Sequence, residues 1–180
     1  MKKHTSIIHF TLICIISISL FLNLMHYKTY THAKNSFTIR IYTNLLNVSK
    51  CLSNIDNSIS VQDTSYILST LEKNCIELDT LIYGLNTLHS EIYFSYKFED
   101  LNELILNTLA SNNDHPEKTS KTLNQYNSEI LALIKALSPN QQLVYSEYGE
   151  LLIKPSYLCS TSYILNTLNA SLENILKPSF

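Results

Sequence analysis

Hydrophobic residues follow two different patterns along this chain, and the change between them comes near residue 30. From Ile7 to Met25 the apolar residues are almost continuous: nineteen positions carry no formal charge, and His9, Ser17, Ser19 and Asn23 only weaken the run. At a helical rise of about 1.5 Å per residue, this length just crosses a hydrocarbon layer about 30 Å thick. Before it stands a short positive block, Met1-Lys2-Lys3-His4. The apolar core of a cleaved signal peptide usually has about 7–15 residues, so this run is long for one. Residues 1–29 are therefore expected to be a transmembrane or signal-anchor helix. Secretion after cleavage near Ala33, at Thr31-His32-Ala33, is the alternative.

After residue 30 the apolar positions become periodic. Phe37, Ile41, Leu45, Val48, Leu52, Ile55 and Ile59 step by three or four, which places them on one face of a helix. Ile67, Leu71, Cys75, Leu78, Ile82 and Leu85 repeat the rule, with Asp63 or Thr64 as the expected N-cap. The polar link Ser60-Val61-Gln62 between the two runs predicts an antiparallel hairpin. Phe98, Leu101, Ile105 and Leu109 predict a shorter helix, ended at Asn112-Asn113-Asp114-His115-Pro116. Leu123, Tyr126, Ile130, Leu133 and Leu137 predict the next one. Ser138-Pro139 looks like a cap followed by a first-turn proline, opening a helix that carries Leu143, Leu151 and Leu152. A last helix holds Ile164, Leu168, Leu172 and Ile175 and stops at Lys177-Pro178. The fold class is thus all-α. Residues 30–180 are expected to form one antiparallel bundle of five or six helices, the first able to continue from the membrane span.

Composition narrows the function classes. The chain of 180 residues has Gly only twice, Pro four times and Trp never, which leaves no glycine-rich phosphate loop and few tight turns. The first acidic residue is Asp56, so Lys2, Lys3, Lys28, Lys34, Arg40 and Lys50 precede it unopposed. No basic stripe interleaved with aromatics follows, which argues against nucleic acid. Lys2 and Lys3 favour an inside N-terminus, while Lys28, Lys34 and Arg40 pull the other way. The short, signal-like tail favours the first, giving a single-pass protein of the cell membrane with its domain outside the cytoplasm. Tyr27 and Tyr30 stand where an interfacial aromatic belt would.

Candidate chemistry is sparse. Cys14 lies in the span without the small preceding residue that a lipobox requires. Cys51 and Cys75 fall within about one helical turn of the same level if the hairpin turns near residue 61, so they are a candidate disulfide in an oxidising space. Cys75 alone reads equally as a small core residue. His89-Ser90-Glu91 lacks the cysteine pair of a deaminase zinc site, and no HExxH occurs. Glu99, Asp100 and Glu103, and Glu147 with Glu150, read as solvated helix faces. No catalytic residue, cofactor site or metal site is expected, and the chain is read as a non-enzyme. Tyrosine is the unusual feature: Tyr93, Phe94, Tyr96 and Phe98 lie within six residues, and Tyr145 and Tyr148 follow. Tyrosine pairs an apolar ring with a polar tip, so Tyr93, Tyr96, Tyr145 and Tyr148 form the candidate interaction surface, with filling of the bundle ends as the plainer role.

The order of short motifs carries a resemblance. After the span come Tyr30-Thr31-His32-Ala33-Lys34-Asn35-Ser36-Phe37, then Tyr83-Gly84-Leu85-Asn86-Thr87-Leu88, then Lys121-Thr122-Leu123-Asn124. Leu143-Val144-Tyr145-Ser146-Glu147 and Ile164-Leu165-Asn166-Thr167-Leu168 complete the series. From residue 30 to about 176 this resembles the N-terminal helical region of the YpeB family of spore germination proteins. The chain departs from that family in having no Trp and no Pro after Gly84-Leu85, and in ending where the family's PepSY-type domains begin. The resemblance implies a non-enzymatic protein of the spore inner membrane that partners or stabilises a cortex-lytic enzyme of the cell wall. A ligand-sensing helical bundle, or a secreted helical protein, is the alternative reading.

Overall fold

The computed structural model describes residues 2–55, 61–88, 92–111, 116–137, 144–145, 151–152 and 160–177. Among them are five helices: α1 (Lys2–Ile55), α2 (Val61–Thr87), α3 (Phe98–Ser111), α4 (Pro116–Leu137) and α5 (Thr161–Leu176). The membrane-type run and the first periodic run are one element. α1 extends unbroken for 54 residues, because neither Gly nor Pro occurs between Lys2 and Ile55. Its many Thr and Asn side chains stay compatible with the helix by turning back on it. Thr29, Thr31, Thr38 and Thr43 hydroxyls donate to the carbonyls of Met25, Tyr27, Lys34 and Ile39 at 2.9–3.1 Å.

Along α1 the burial changes abruptly. No large apolar side chain from Leu12 to Met25 packs against the rest of the protein; each is at least 50% exposed. By length and composition the helix that carries this run can cross a membrane. Thr31 is the first of a series of partly covered residues, and Thr38, Ile41, Tyr42, Leu45, Val48 and Leu52 are fully buried.

Those residues share one core with Leu71, Cys75, Leu78, Ile82 and Leu85 of α2 and with buried faces of the other three helices. Burying each Leu or Ile gains about 1.5–3 kcal/mol, and the packed stripes hold the elements together. α1 lies most extensively on α2 and then on α4; α3 packs on α2, and α5 on α4 and α3. The α1–α2 pairs descend along one helix as they climb the other. Asn47 Nδ2 donates to Asn74 Oδ1 at 3.1 Å, the Arg40 guanidinium pairs with Glu77, and Phe37 lies against Gly84. Between α1 and α4, Ser49 Oγ donates to Asn127 Oδ1 at 2.6 Å and Asn127 Nδ2 to Ser53 Oγ at 2.9 Å.

Helix ends follow local chemistry. α2 begins at Val61, ahead of the expected cap, and Asp63 falls in its first turn, where a carboxylate suits the helix dipole. Pro116 opens α4, a position that needs no N–H. Ser160 caps α5, its Oγ accepting from the Tyr163 N–H at 3.3 Å, and the Lys177 N–H donates to the Glu173 carbonyl. One expectation fails. Where a helix carrying Leu143, Leu151 and Leu152 was expected, the described residues are strands: β1 (Val144–Tyr145) and β2 (Leu151–Leu152) pair antiparallel, Val144 opposite Leu152 and Tyr145 opposite Leu151, and Leu143 lies outside the described residues. A β-branched residue beside an aromatic favours extended backbone, and Gly149 between the strands weakens a helix there.

Candidate functional site

The side chains with the clearest capacity to bind something come from the last turns of α2 and the segment that follows it. Residues 92–97 run outside regular structure and, with Phe98 at the start of α3, read Ile-Tyr-Phe-Ser-Tyr-Lys-Phe. Their burial alternates: Ile92, Phe94, Tyr96 and Phe98 turn toward the core, while Tyr93, Ser95 and Lys97 face out. A period of two marks extended backbone. Asn86 of α2 holds the segment in place. Its Nδ2 donates to the Ile92 carbonyl at 2.9 Å, and its Oδ1 accepts from the Ile92 N–H at 3.0 Å. The side-chain amide thus imitates a strand partner at the close of the helix.

At the other end the segment enters α3 through a cap supplied from α2. Lys97 precedes the helix and has no acceptor to offer its first amides. Asp79 takes that role: Oδ1 accepts from the Phe98 N–H at 2.8 Å and Oδ2 from the Glu99 N–H at 3.0 Å. Asp100 closes the turn by accepting from the Lys97 N–H at 2.7 Å. Burial raises the Asp79 pKa above the usual carboxylate range, against the lowering pull of those two N–H donors.

Between α2 and this segment lies a groove of about 460 Å³, with Tyr83, Tyr93, Phe94 and Tyr96 on its walls and Lys97 and Glu99 at its edge. Tyr83 and Tyr93 are 73% and 84% exposed, far more than a ring needs to be if it only fills space. The rings offer stacking and apolar contact, with charge of both signs beside them. A second, more polar groove of about 640 Å³ runs along the α1–α2 seam past Arg40, Asn44, Tyr66, Lys73 and Glu77. There the Arg40 hydrogen bond draws the Glu77 carboxyl below its ordinary value.

Of the four tyrosines expected to form one surface, Tyr93 and Tyr96 line the first groove. Tyr145 lies in β1, and Tyr148 lies outside the described residues. Cys51 and Cys75, the candidate disulfide, are both buried free thiols on facing helices. Burial pushes the Cys75 thiol far up, and the negative charge of Asp79 adds to this. Of the first acidic cluster, Glu99 reaches the groove and Asp100 serves the cap. His89, Glu91, His115, Glu147, Glu150 and Cys159 lie outside the described residues. Among the described residues, no three His, Cys, Asp or Glu side chains gather as metal ligands would.

Tyr83, Asn86 and Asp79 do not stand out in the linear sequence. Each sits on a helix whose apolar period says nothing about what its polar face meets. The alternation of residues 92–98 was readable as extended backbone, and it is the one signal that could have located the groove. Compared with models of protein families, with curated proteins and with solved structures, the chain finds no match.

Proposed function

We propose that this protein is a non-enzymatic, membrane-anchored interaction module: the first part of α1 spans the membrane, and the rest of α1 with α2 to α5 forms an antiparallel helical bundle, residues 30–180, outside the cytoplasm. One observation carries the reading. A single helix joins an apolar run that packs on nothing to a face that forms the heart of the core. A soluble bundle gains nothing from fourteen consecutive residues, Leu12 to Met25, without a buried apolar neighbour. A bilayer supplies the missing environment. The crossed pairs between α1 and α2 support the antiparallel reading.

The partner we propose is a cell-wall lytic enzyme acting in spore germination, on the strength of the motif order from Tyr30 to Leu168. The anchor would hold such an enzyme at the spore inner membrane. The test is to delete the gene in its own host and follow both the spores and the enzyme. Loss of the lytic enzyme from dormant spores, with stalled cortex breakdown, is the expected result. Spores that germinate normally and keep the enzyme overturn the germination role. A groove of about 460 Å³ also falls within the size range of small-molecule sites and favours the ligand-sensing bundle as second reading.

A further inference from the structure

Given the membrane anchor just proposed, on which this inference rests, α1 serves as a ruler. It rises about 1.5 Å per residue without a break, so each level of the bundle has a height above the bilayer. The uncharged run ends at Met25, and Tyr27, Lys28 and Tyr30 follow within the next turn and a half. Tyrosine and lysine are the residues that settle in the headgroup layer. Partial burial begins at Thr31, so the bundle starts almost as soon as the headgroups end.

The end of the bundle that lies lowest is the aromatic one. Gly84 touches Phe37, which stands seven residues, or about 10 Å, above Tyr30. α2 continues downward from Gly84 to Thr87, and Asn86 ties Ile92 to the same level. Tyr93, next to Ile92, is therefore about 7–8 Å above Tyr30, one tyrosine side chain away from the headgroup layer. Tyr83 and Tyr93 are the most exposed rings in this part of the molecule. Among the described residues, Lys28 and Lys34 carry charge close to the bilayer, while Asp79 lies further up α2, away from it.

We propose that Tyr83 and Tyr93, backed by the apolar side chains of residues 92–98, are a second membrane contact, seated in the interfacial layer of the bilayer that α1 crosses. The contact fixes the tilt and rotation of the bundle, which one helix alone leaves free. The occupant is lipid and not protein, because the rings lie at lipid height on a continuous helix.

The chain contains no Trp, so a single Trp reports its own position. Full-length Leu22→Trp, Tyr93→Trp and Tyr66→Trp are reconstituted in phosphatidylcholine vesicles. Acyl-brominated lipid quenches the Leu22 probe, and lipid with a headgroup nitroxide quenches the Tyr93 probe. Tyr66 is a matched control, 75% exposed but near the far end of α2. The expected result is loss of emission from Leu22→Trp and Tyr93→Trp, with Tyr66→Trp unaffected. Emission from Tyr93→Trp that matches Tyr66→Trp, with Leu22→Trp still quenched, overturns the second contact and leaves the anchor standing. An unquenched Leu22→Trp overturns both.

Discussion

At the scale of single residues, Asp79 does what no neighbour of α3 can do. Its two oxygens accept the Phe98 and Glu99 amides, so the start of α3 is tied to the middle of α2. Asp79→Ala leaves both amides without that acceptor and is expected to cost about 1–2 kcal/mol, in line with the loss of an N-cap. Asp79→Asn keeps one oxygen and should lose roughly half as much. The pH dependence has a definite sign. The folded pKa of Asp79 is raised, so its contribution to stability is full below the unfolded value of about 3.9 and is lost as pH rises through the folded value. Asparagine does not titrate. The deficit of Asp79→Asn relative to the native chain should therefore be largest in acid and shrink as pH rises through that window. Thermal unfolding in detergent micelles, followed by far-ultraviolet circular dichroism across that range, checks both size and trend. A deficit that grows with pH would overturn the assignment. None of this was legible in the sequence, because Asp79 and Phe98 are joined only by the fold.

At the scale of elements, the apolar period was the reliable guide. Ile41, Leu45, Val48, Leu52 and Ile55, all expected on one face of α1, are buried together, as are Leu71, Cys75, Leu78, Ile82 and Leu85 on α2. Periodicity works for these because 3.6-residue spacing and burial share one geometric cause. It failed at Val144–Tyr145 and Leu151–Leu152, where only scattered leucines supported a helix and the two segments pair as strands. It was also silent on how closely two faces approach. Gly84 shows the difference: a Cβ there would come within 2.9 Å of the Phe37 ring. In an open helix Gly→Ala gains about 1 kcal/mol, but forcing a ring aside in a packed seam costs about 1–3 kcal/mol. Gly84→Ala is expected to destabilise the native chain by about 1 kcal/mol. In a Phe37→Leu background the same change should be neutral or stabilising, since the smaller side chain clears the space. The double-mutant cycle, read from unfolding midpoints, should show coupling of about 1 kcal/mol or more. Additive effects would mean that the ring moves away without cost.

At the scale of the whole molecule, α1 divides into a part that packs and a part that does not. The core begins with Phe37 and Thr38, whereas the apolar side chains from Leu12 to Met25 touch no other helix. The sequence carried this division openly, in the change from a continuous apolar run to a periodic one. It also allowed the helix to continue across the change, since neither Gly nor Pro interrupts it, and there Thr29 and Thr31 turn their hydroxyls onto the backbone. Removing residues 1–29 should therefore leave the bundle folded. The unfolding midpoint of residues 30–180 is expected to fall within about 4 °C of the full chain in micelles, because less than about 1 kcal/mol of packing is lost. The shortened chain should stay in solution without detergent, while the full chain requires it. Circular dichroism melts with and without detergent, combined with sedimentation, separate the two properties. A collapse of the midpoint would show that the first half of α1 contributes to folding. A shortened chain that still needs detergent would point instead to the aromatic end of the bundle, with Tyr83 and Tyr93 exposed once their lipid contact is gone. The two outcomes are distinguishable because one removes the cooperative transition and the other leaves it intact.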